Sequence, residues 1–168
     1  MNNLILIRHG QSIWNLERRF TGWADVDLTD HGKSEAKYAG QLIKKLNIEF
    51  DVYFTSVQIR AIDTLEIILD ILNKKNSEIK KAWELNERHY GALTGLNKDE
   101  MMKKLGKKQV HIFRRSWNVP PPTMKKTHPN HPSKNKTYIN IPTDKMPDSE
   151  SLKNTFERVM PYYKKNIK

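Results

Sequence analysis

An imidazole and a guanidinium stand side by side where an apolar run of the sequence stops. Leu4 to Ile7 is continuously apolar, and Arg8, His9 and Gly10 follow it directly. A neutral histidine nitrogen is a nucleophile that can accept a phosphoryl group, and an arginine binds phosphoryl oxygens with a fork of N–H donors. The tripeptide alone also fits a structural or capping histidine, so both interpretations stay open at this point.

The elements predicted around the tripeptide alternate between strands and helices. The apolar run predicts a buried strand, which Gly10 ends with a sharp turn. Thr29 is a candidate cap for a helix over about 30–46, and residues 50–56 predict a second short strand. This order is typical of an α/β sheet, whose ligand crevice lies at the carboxyl ends of the strands.

The same alternation continues towards the end of the sequence. Ser56 is a candidate cap for a helix that carries Arg60 near its start, and residues 82–87 predict a third short strand. Asn97, with a glutamate three residues later, predicts the start of another helix. A last helix is predicted after Ser149 and contains a proline that should kink it.

Length and composition favour one domain over residues 1–168. Residues 119–147 are rich in proline and lysine and have no apolar period, which predicts a long surface loop. No apolar run approaches the ~20 residues that a membrane helix requires, so no membrane association is expected. The absence of cysteine excludes disulfides and cysteine-ligated metals and fits a reducing cytoplasm.

The chain is strongly basic, with 30 Lys and Arg residues against 19 Asp and Glu residues and a net charge of +11. Such a surface attracts anions, which include phosphorylated metabolites, nucleic acids and acidic membranes. The histidines show no spacing typical of a metal site, and HPNHP within the proline-rich loop predicts surface histidines.

An ordered series of motifs decides between the two interpretations of His9. The series is RHGQSxxN from position 8, FTGW at 20–23, LTDHG at 28–32, TSxxxRAxxT at 55–64 and LNERHYGALTGLNK at 85–98. With these motifs the sequence closely resembles the cofactor-dependent phosphoglycerate mutases of the histidine phosphatase superfamily. The resemblance runs to the end of the chain and implies an α/β fold with three layers, α/β/α.

The resemblance implies a role for each matching residue. His9 would be the nucleophile that carries the phosphoryl group, Arg8 and Arg60 would contact its oxygens, and Glu87 would be the general acid and base. Further positions resemble those that bind the substrate phosphate and carboxylate: Gly10, Ser12, Asn15, Thr21, Gly22, Arg88, Tyr90, Lys98, Arg114 and Arg115.

The activity implied is a mutase, an isomerase that interconverts 3-phosphoglycerate and 2-phosphoglycerate in glycolysis and gluconeogenesis. The resemblance implies 2,3-bisphosphoglycerate as the primer that phosphorylates the enzyme, and it implies no metal. The expected partners are small phosphoglycerates, and binding to nucleic acid or to a membrane is not expected. Whether the chain forms a homo-oligomer stays open.

Family members continue beyond the last predicted helix into another apolar strand, which carries a second catalytic histidine and lies beside the first strand. This sequence stops at Lys168, so the resemblance predicts a fold truncated before that strand, with an incomplete sheet. Two interpretations of the shorter sequence stay open: it is the N-terminal portion of a normal mutase, or it is a weakly active or inactive remnant. Two further alternatives are a bisphosphoglycerate synthase or phosphatase of the same fold and a non-enzymatic basic protein that binds polyanions.

Overall fold

The computed structural model describes residues 3–168 and combines helices with a small parallel sheet. In chain order the elements are α1 (Ile13–Leu16), α2 (Asp30–Lys45), β1 (Tyr53–Thr55), α3 (Ile59–Ile71), β2 (Ile79–Lys81), α4 (Lys98–Leu105), α5 (Lys107–Arg115) and α6 (Leu152–Tyr162). Short 3₁₀ turns lie between β2 and α4 and between α5 and α6, and a π-helical turn, Tyr163–Ile167, follows α6.

The predicted helices form as α2, α3, α4 and α6, whereas α1 and α5 were not predicted. The predicted cap Ser56 is wrong, because Gln58 is the N-cap residue of α3. Thr29 caps α2 by accepting a hydrogen bond from Gly32 N–H, and Asn97 caps α4 in the same manner. Helices α2 and α3 pack against each other at Gly40, where an added Cβ would lie only 3.0 Å from the Cβ of Ile71. The strands β1 and β2 pair in parallel, with Tyr53 opposite Ile79.

The first predicted strand is wrong. Residues 3–11 have no strand assignment, Leu6 is 84% exposed, and Leu4 and Ile7 are also exposed. A cleft of about 540 Å³ separates this segment from β1, with Val52 and Phe54 among the residues that line it. A strand needs a hydrogen-bonded neighbour, and the sheet described within residues 3–168 contains only β1 and β2.

The exposure of Leu6 predicts that its side chain contributes little to stability. We expect Leu6→Ala to change the free energy of unfolding by less than about 0.5 kcal/mol, because the leucine side chain already contacts water. Leu69→Ala in α3 is the matched control: that leucine is 1% exposed, and its loss should cost about 2 to 5 kcal/mol. Urea denaturation measures both. A Leu6 variant as unstable as the Leu69 variant would show that the segment is buried in solution.

The third predicted strand is also wrong. The strand β2 comes three residues earlier than expected, and Trp83–Leu85 forms a 3₁₀ turn. Helix α6 begins at Leu152 behind the cap Ser151, slightly later than predicted.

The stretch 119–147 is irregular, as expected, but it is not simply a surface loop. Tyr138 is fully buried, donates its hydroxyl to the carbonyl of Trp23 at 2.6 Å, and joins Trp23 and Ile141 in one apolar cluster. His131, predicted at the surface, is 3% exposed and bonds to the Asp148 carboxylate at 2.8 Å. The contact of Tyr138 joins the stretch to Trp23, and the contact of His131 joins it to the residue that follows the stretch.

None of the helices within residues 3–168 is long and apolar enough to cross a bilayer.

Candidate active site

One buried arginine joins the predicted nucleophile to the predicted general acid. Arg60 lies in the first turn of α3 and is 0% exposed. Its Nε donates to His9 Nε2 at 3.3 Å, and its Nη2 donates to Glu87 Oε2 at 2.9 Å. The imidazole and the carboxylate therefore face one guanidinium at the mouth of the cleft.

The guanidinium of Arg60 also donates to two backbone carbonyls of residues 22–24 and to one side chain. Nη1 donates to the carbonyl of Ala24 at 3.0 Å, and Nη2 donates to the carbonyl of Gly22 at 2.8 Å. Nη2 also reaches Gln58 Oε1 at 3.0 Å. The sequence predicted that Arg60 lies near the start of the helix, and the structure buries this arginine with every guanidinium nitrogen hydrogen-bonded.

The hydrogen bonds of His9 determine which ring nitrogen carries the proton. Nδ1 lies 2.7 Å from the carbonyl oxygen of Gly10, which can only accept, so Nδ1 carries the proton. Nε2 is then the unprotonated nitrogen, and it points towards Arg60. Gly10 itself cannot be replaced by a larger residue, because a Cβ would lie 2.1 Å from the carbonyl oxygen of Gly32.

Burial is the main cause of the lowered pKa of His9, and the positive charges of Arg60 and Arg8 lower that pKa further. The hydrogen bond to Gly10 and the negative charge of Glu87 oppose these effects. The net direction keeps the imidazole neutral, and therefore nucleophilic, below its ordinary pKa of 6.5.

This direction predicts the pH dependence of phosphoryl acceptance by His9. The rate should stay on its plateau below pH 6.5, because a lowered pKa moves protonation of the nucleophile to more acidic solution. The measurement is the initial rate of adduct formation between pH 5 and 8. A fall centred at or above pH 6.5 would contradict the predicted direction.

A second group of cations lies beside the first. Arg88 donates from Nη2 to the carbonyl of Arg114 at 2.8 Å, and its guanidinium stacks 4.8 Å from the ring centre of Tyr90. Lys98 lies over the ring of Phe20, and burial together with the charge of Arg114 lowers its pKa. The structure therefore brings four of the predicted substrate-binding residues together.

Three buried polar atoms in this region have no partner among the described residues: Thr21 Oγ1, Arg88 Nη1 and Arg114 Nε. Leaving such an atom unpaired costs about 1 to 3 kcal/mol. Each of the three can donate a hydrogen bond, so the set fits the oxygens of an anion.

The remaining predicted positions differ in what they do. Ser12 and Asn15 form a reciprocal capping box at α1, in which the Ser12 hydroxyl accepts from Asn15 N–H and the side-chain oxygen of Asn15 accepts from Ser12 N–H. Gly22 adopts a positive φ of 55° and presents its carbonyl to Arg60. Arg8 is exposed and lines the cleft beside His9. Arg115 is exposed in the last turn of α5.

Sequence reasoning missed Gln58, which is 2% exposed and organises the site. Its Nε2 donates to the carbonyl of Gly22 at 2.7 Å, while its Oε1 accepts from Glu87 N–H at 3.2 Å. Gln58 is the N-cap residue of α3, but its side chain makes no capping hydrogen bond and bonds within the site instead. Its position two residues before Arg60 was the available signal.

Comparison with known families gives one match over most of the chain. The model of the histidine phosphatase superfamily (branch 1) matches residues 4–130.

Curated relatives extend the similarity to nearly the whole sequence. The chain is 56% identical over 163 residues to the 2,3-bisphosphoglycerate-dependent phosphoglycerate mutase of Pelagibacter ubique (strain HTCC1062), covering 97% of this chain and 68% of that protein. It is 53% identical to the protein of the same name from Hydrogenobaculum sp. (strain Y04AAS1), covering 97% and 66%. The chain thus spans about two thirds of the length of these relatives.

A solved structure supports the predicted fold class. The crystal structure of phosphoglycerate mutase from Bacillus anthracis str. Sterne superimposes with a TM-score of 0.56 at 27% identity, over 63% of this chain and 48% of that one. The prediction of an α/β fold of this kind is confirmed.

Proposed function

The chain belongs to the histidine phosphatase superfamily, in the family of 2,3-bisphosphoglycerate-dependent phosphoglycerate mutases, and on that premise we propose that it interconverts 3-phosphoglycerate and 2-phosphoglycerate through a phosphohistidine. The observation that carries the proposal is the arrangement at Arg60. One buried guanidinium holds both His9 Nε2 and the Glu87 carboxylate.

The first proposed step uses the unprotonated nitrogen of His9. Nε2 forms a bond to phosphorus while the bond between phosphorus and the donor's ester oxygen breaks. Because Gly10 holds the proton on Nδ1, Nε2 carries the lone pair, which must leave its hydrogen bond from Arg60 Nε to attack phosphorus. Arg60 and Arg8 carry positive charge beside His9, where they can stabilise the phosphoryl oxygens as their charge develops.

Glu87 moves the proton in both directions. In its protonated form, with the proton on the oxygen that Arg60 does not bind, it gives that proton to the ester oxygen that leaves. In the return step the carboxylate takes the proton from the hydroxyl that attacks phosphohistidine. Its side chain is 36% exposed, so it can reach both the protein and a bound substrate. The bond from Arg60 Nη2 fixes one carboxylate oxygen on the side of His9.

The primer that the relatives' name implies is 2,3-bisphosphoglycerate, which would supply the phosphoryl group that loads His9. The residues present fit such an anion, because unpaired donors of Thr21, Arg88 and Arg114 lie in the region of the cations Arg88 and Lys98. We propose that these residues bind the carboxylate and the phosphate that is not transferred.

A turnover measurement tests the proposed function. The 168-residue chain is given 3-phosphoglycerate with and without 2,3-bisphosphoglycerate, and the products are followed by phosphorus NMR in the presence of a chelator. We expect 2-phosphoglycerate to appear only with the primer and at a rate that the chelator does not change. Release of inorganic phosphate without 2-phosphoglycerate would favour a phosphatase of the same fold. Turnover that requires manganese would contradict the proposal.

A further inference from the structure

One arginine of the last helix donates to four backbone carbonyls of the segment that carries Glu87. Arg158 lies in α6, and its side chain is only 7% exposed. Its Nη1 lies 3.4, 2.8 and 3.2 Å from the carbonyl oxygens of Trp83, Glu84 and Asn86, and its Nη2 lies 3.4 Å from that of Glu87. The guanidinium therefore lies behind the loop, on its backbone side.

The other side of this guanidinium is held by a buried carboxylate. Glu150 accepts from Arg158 Nε at 2.7 Å and from Nη2 at 2.8 Å, in a two-point fork, and is 3% exposed. The same carboxylate accepts from His89 N–H at 2.8 Å, while Glu150 N–H donates to the carbonyl of His89 at 3.0 Å. The pair thus binds the backbone on both sides of Glu87.

Trp23 provides a third support at the same point. Its indole Nε1 donates to the carbonyl of Glu87 at 2.8 Å, and the guanidinium of Arg158 lies 5.4 Å from the centre of its ring. The carbonyl of Glu87 consequently accepts from two donors while its side chain extends towards His9. Residues 86–90 belong to no helix or strand, so these contacts replace the support of a regular element.

Stability alone is a weak explanation for this arrangement. Removing two charges from water costs several kcal/mol for each ion, and an apolar pair of similar volume is often as stable. The donors are instead aimed at the backbone around one residue, Glu87. A displacement of about 1 Å at a catalytic group can cost about 100-fold in rate, so the position of this loop has a direct effect on catalysis.

We propose that Arg158 and Glu150 are positioning residues that set the distance of the Glu87 carboxylate from the substrate oxygen. The inference rests on the proposed function, in which Glu87 exchanges a proton with that oxygen. Neither residue touches the reacting atoms.

The test compares two phosphoryl donors that differ in their need for a proton. Transfer from 2,3-bisphosphoglycerate releases an alkoxide and requires a general acid, whereas 2,4-dinitrophenyl phosphate releases a stable phenolate and does not. We expect Arg158→Met to slow adduct formation from 2,3-bisphosphoglycerate by about 10- to 100-fold and to leave the rate from the aryl phosphate unchanged. Arg158→Lys should not restore the rate, because an ammonium cannot form the planar fork.

The matched control is Lys153→Met on the same helix, whose exposed ammonium lies 3.8 Å from Glu157 and away from the loop. It should behave as wild type with both donors. Equal losses with both donors in Arg158→Met, or no loss with either, would overturn the inference.

A second measurement does not depend on activity. It remains informative if the proposed function fails, which would be seen as a wild type that accepts a phosphoryl group from neither donor. The indole N–H of Trp23, assigned with Trp23→Phe, reports the position of the Glu87 carbonyl. Its exchange with water should accelerate in folded Arg158→Met and Arg158→Lys but not in Lys153→Met. Exchange at the wild-type rate in both Arg158 variants would overturn the inference whatever the activity.

Discussion

Arg60→Met is expected to destabilise the protein and to abolish most of its phosphoryl transfer. The guanidinium is fully buried and donates to the carbonyls of Gly22 and Ala24, to Gln58 and to Glu87. A methionine of similar volume removes the donor of the Ala24 carbonyl. Gly22 and Gln58 each keep one other partner, and Glu87 is partly exposed to water. Leaving a buried acceptor unpaired costs about 1 to 3 kcal/mol, and we expect a loss of at least this size in urea denaturation.

The kinetic effect of the same substitution has a separate cause. Without Arg60 the phosphoryl group on His9 loses a donor that is already in place, which typically costs about 100- to 1000-fold in rate. The measurement is the rate of adduct formation at a temperature where the variant is folded. Arg18→Met is the matched control, because the Arg18 ion pair with Asp99 is exposed, so stability and rate should both stay near wild type. An Arg60 variant as stable as this control would contradict the buried network.

Glu87→Gln is expected to give the second large effect, on proton transfer alone. Glutamine retains the shape of glutamate and can accept from Arg60 Nη2, so the fold should persist. It cannot donate a proton as an acid, and general acid catalysis contributes about 100- to 10,000-fold. We expect a loss in this range for adduct formation from 2,3-bisphosphoglycerate.

The leaving group separates this role from simple damage to the site. The same variant should transfer from 2,4-dinitrophenyl phosphate at the wild-type rate, because the phenolate leaves without a proton. Glu84→Gln, on the same loop, is the matched control and should not change either rate. Equal losses of Glu87→Gln with both donors would contradict the assignment of Glu87 as a general acid.

The sequence predicted those elements whose signals are local. Thr29 and Asn97 mark the starts of α2 and α4, because a capping side chain bonds to backbone N–H groups two or three residues away. Residues 4–7 show the limit of such signals. Their apolar composition fits a strand, but a strand exists only beside a partner, and the partner is not encoded in those four residues.

The site shows the same division between local and distant information. The motifs named His9, Arg60 and Glu87, and the structure brings these three residues within hydrogen-bonding distance. The sequence did not single out Arg158, because it lies 71 residues after Glu87. An arginine in a predicted helix is ordinarily read as a solvent-exposed side chain. The prediction of a surface loop over 119–147 missed the burial of Tyr138 for a related reason, because the residue that accepts its hydroxyl, Trp23, is far away in the chain.

The central claim is that His9 carries a phosphoryl group in a site that the 168-residue chain assembles. The most direct test is the intact mass of the chain after incubation with 2,3-bisphosphoglycerate, with His9→Ala measured in parallel. We predict one acid-labile phosphoryl adduct on the wild type and none on the variant. An adduct on both proteins, or on neither, would contradict the claim.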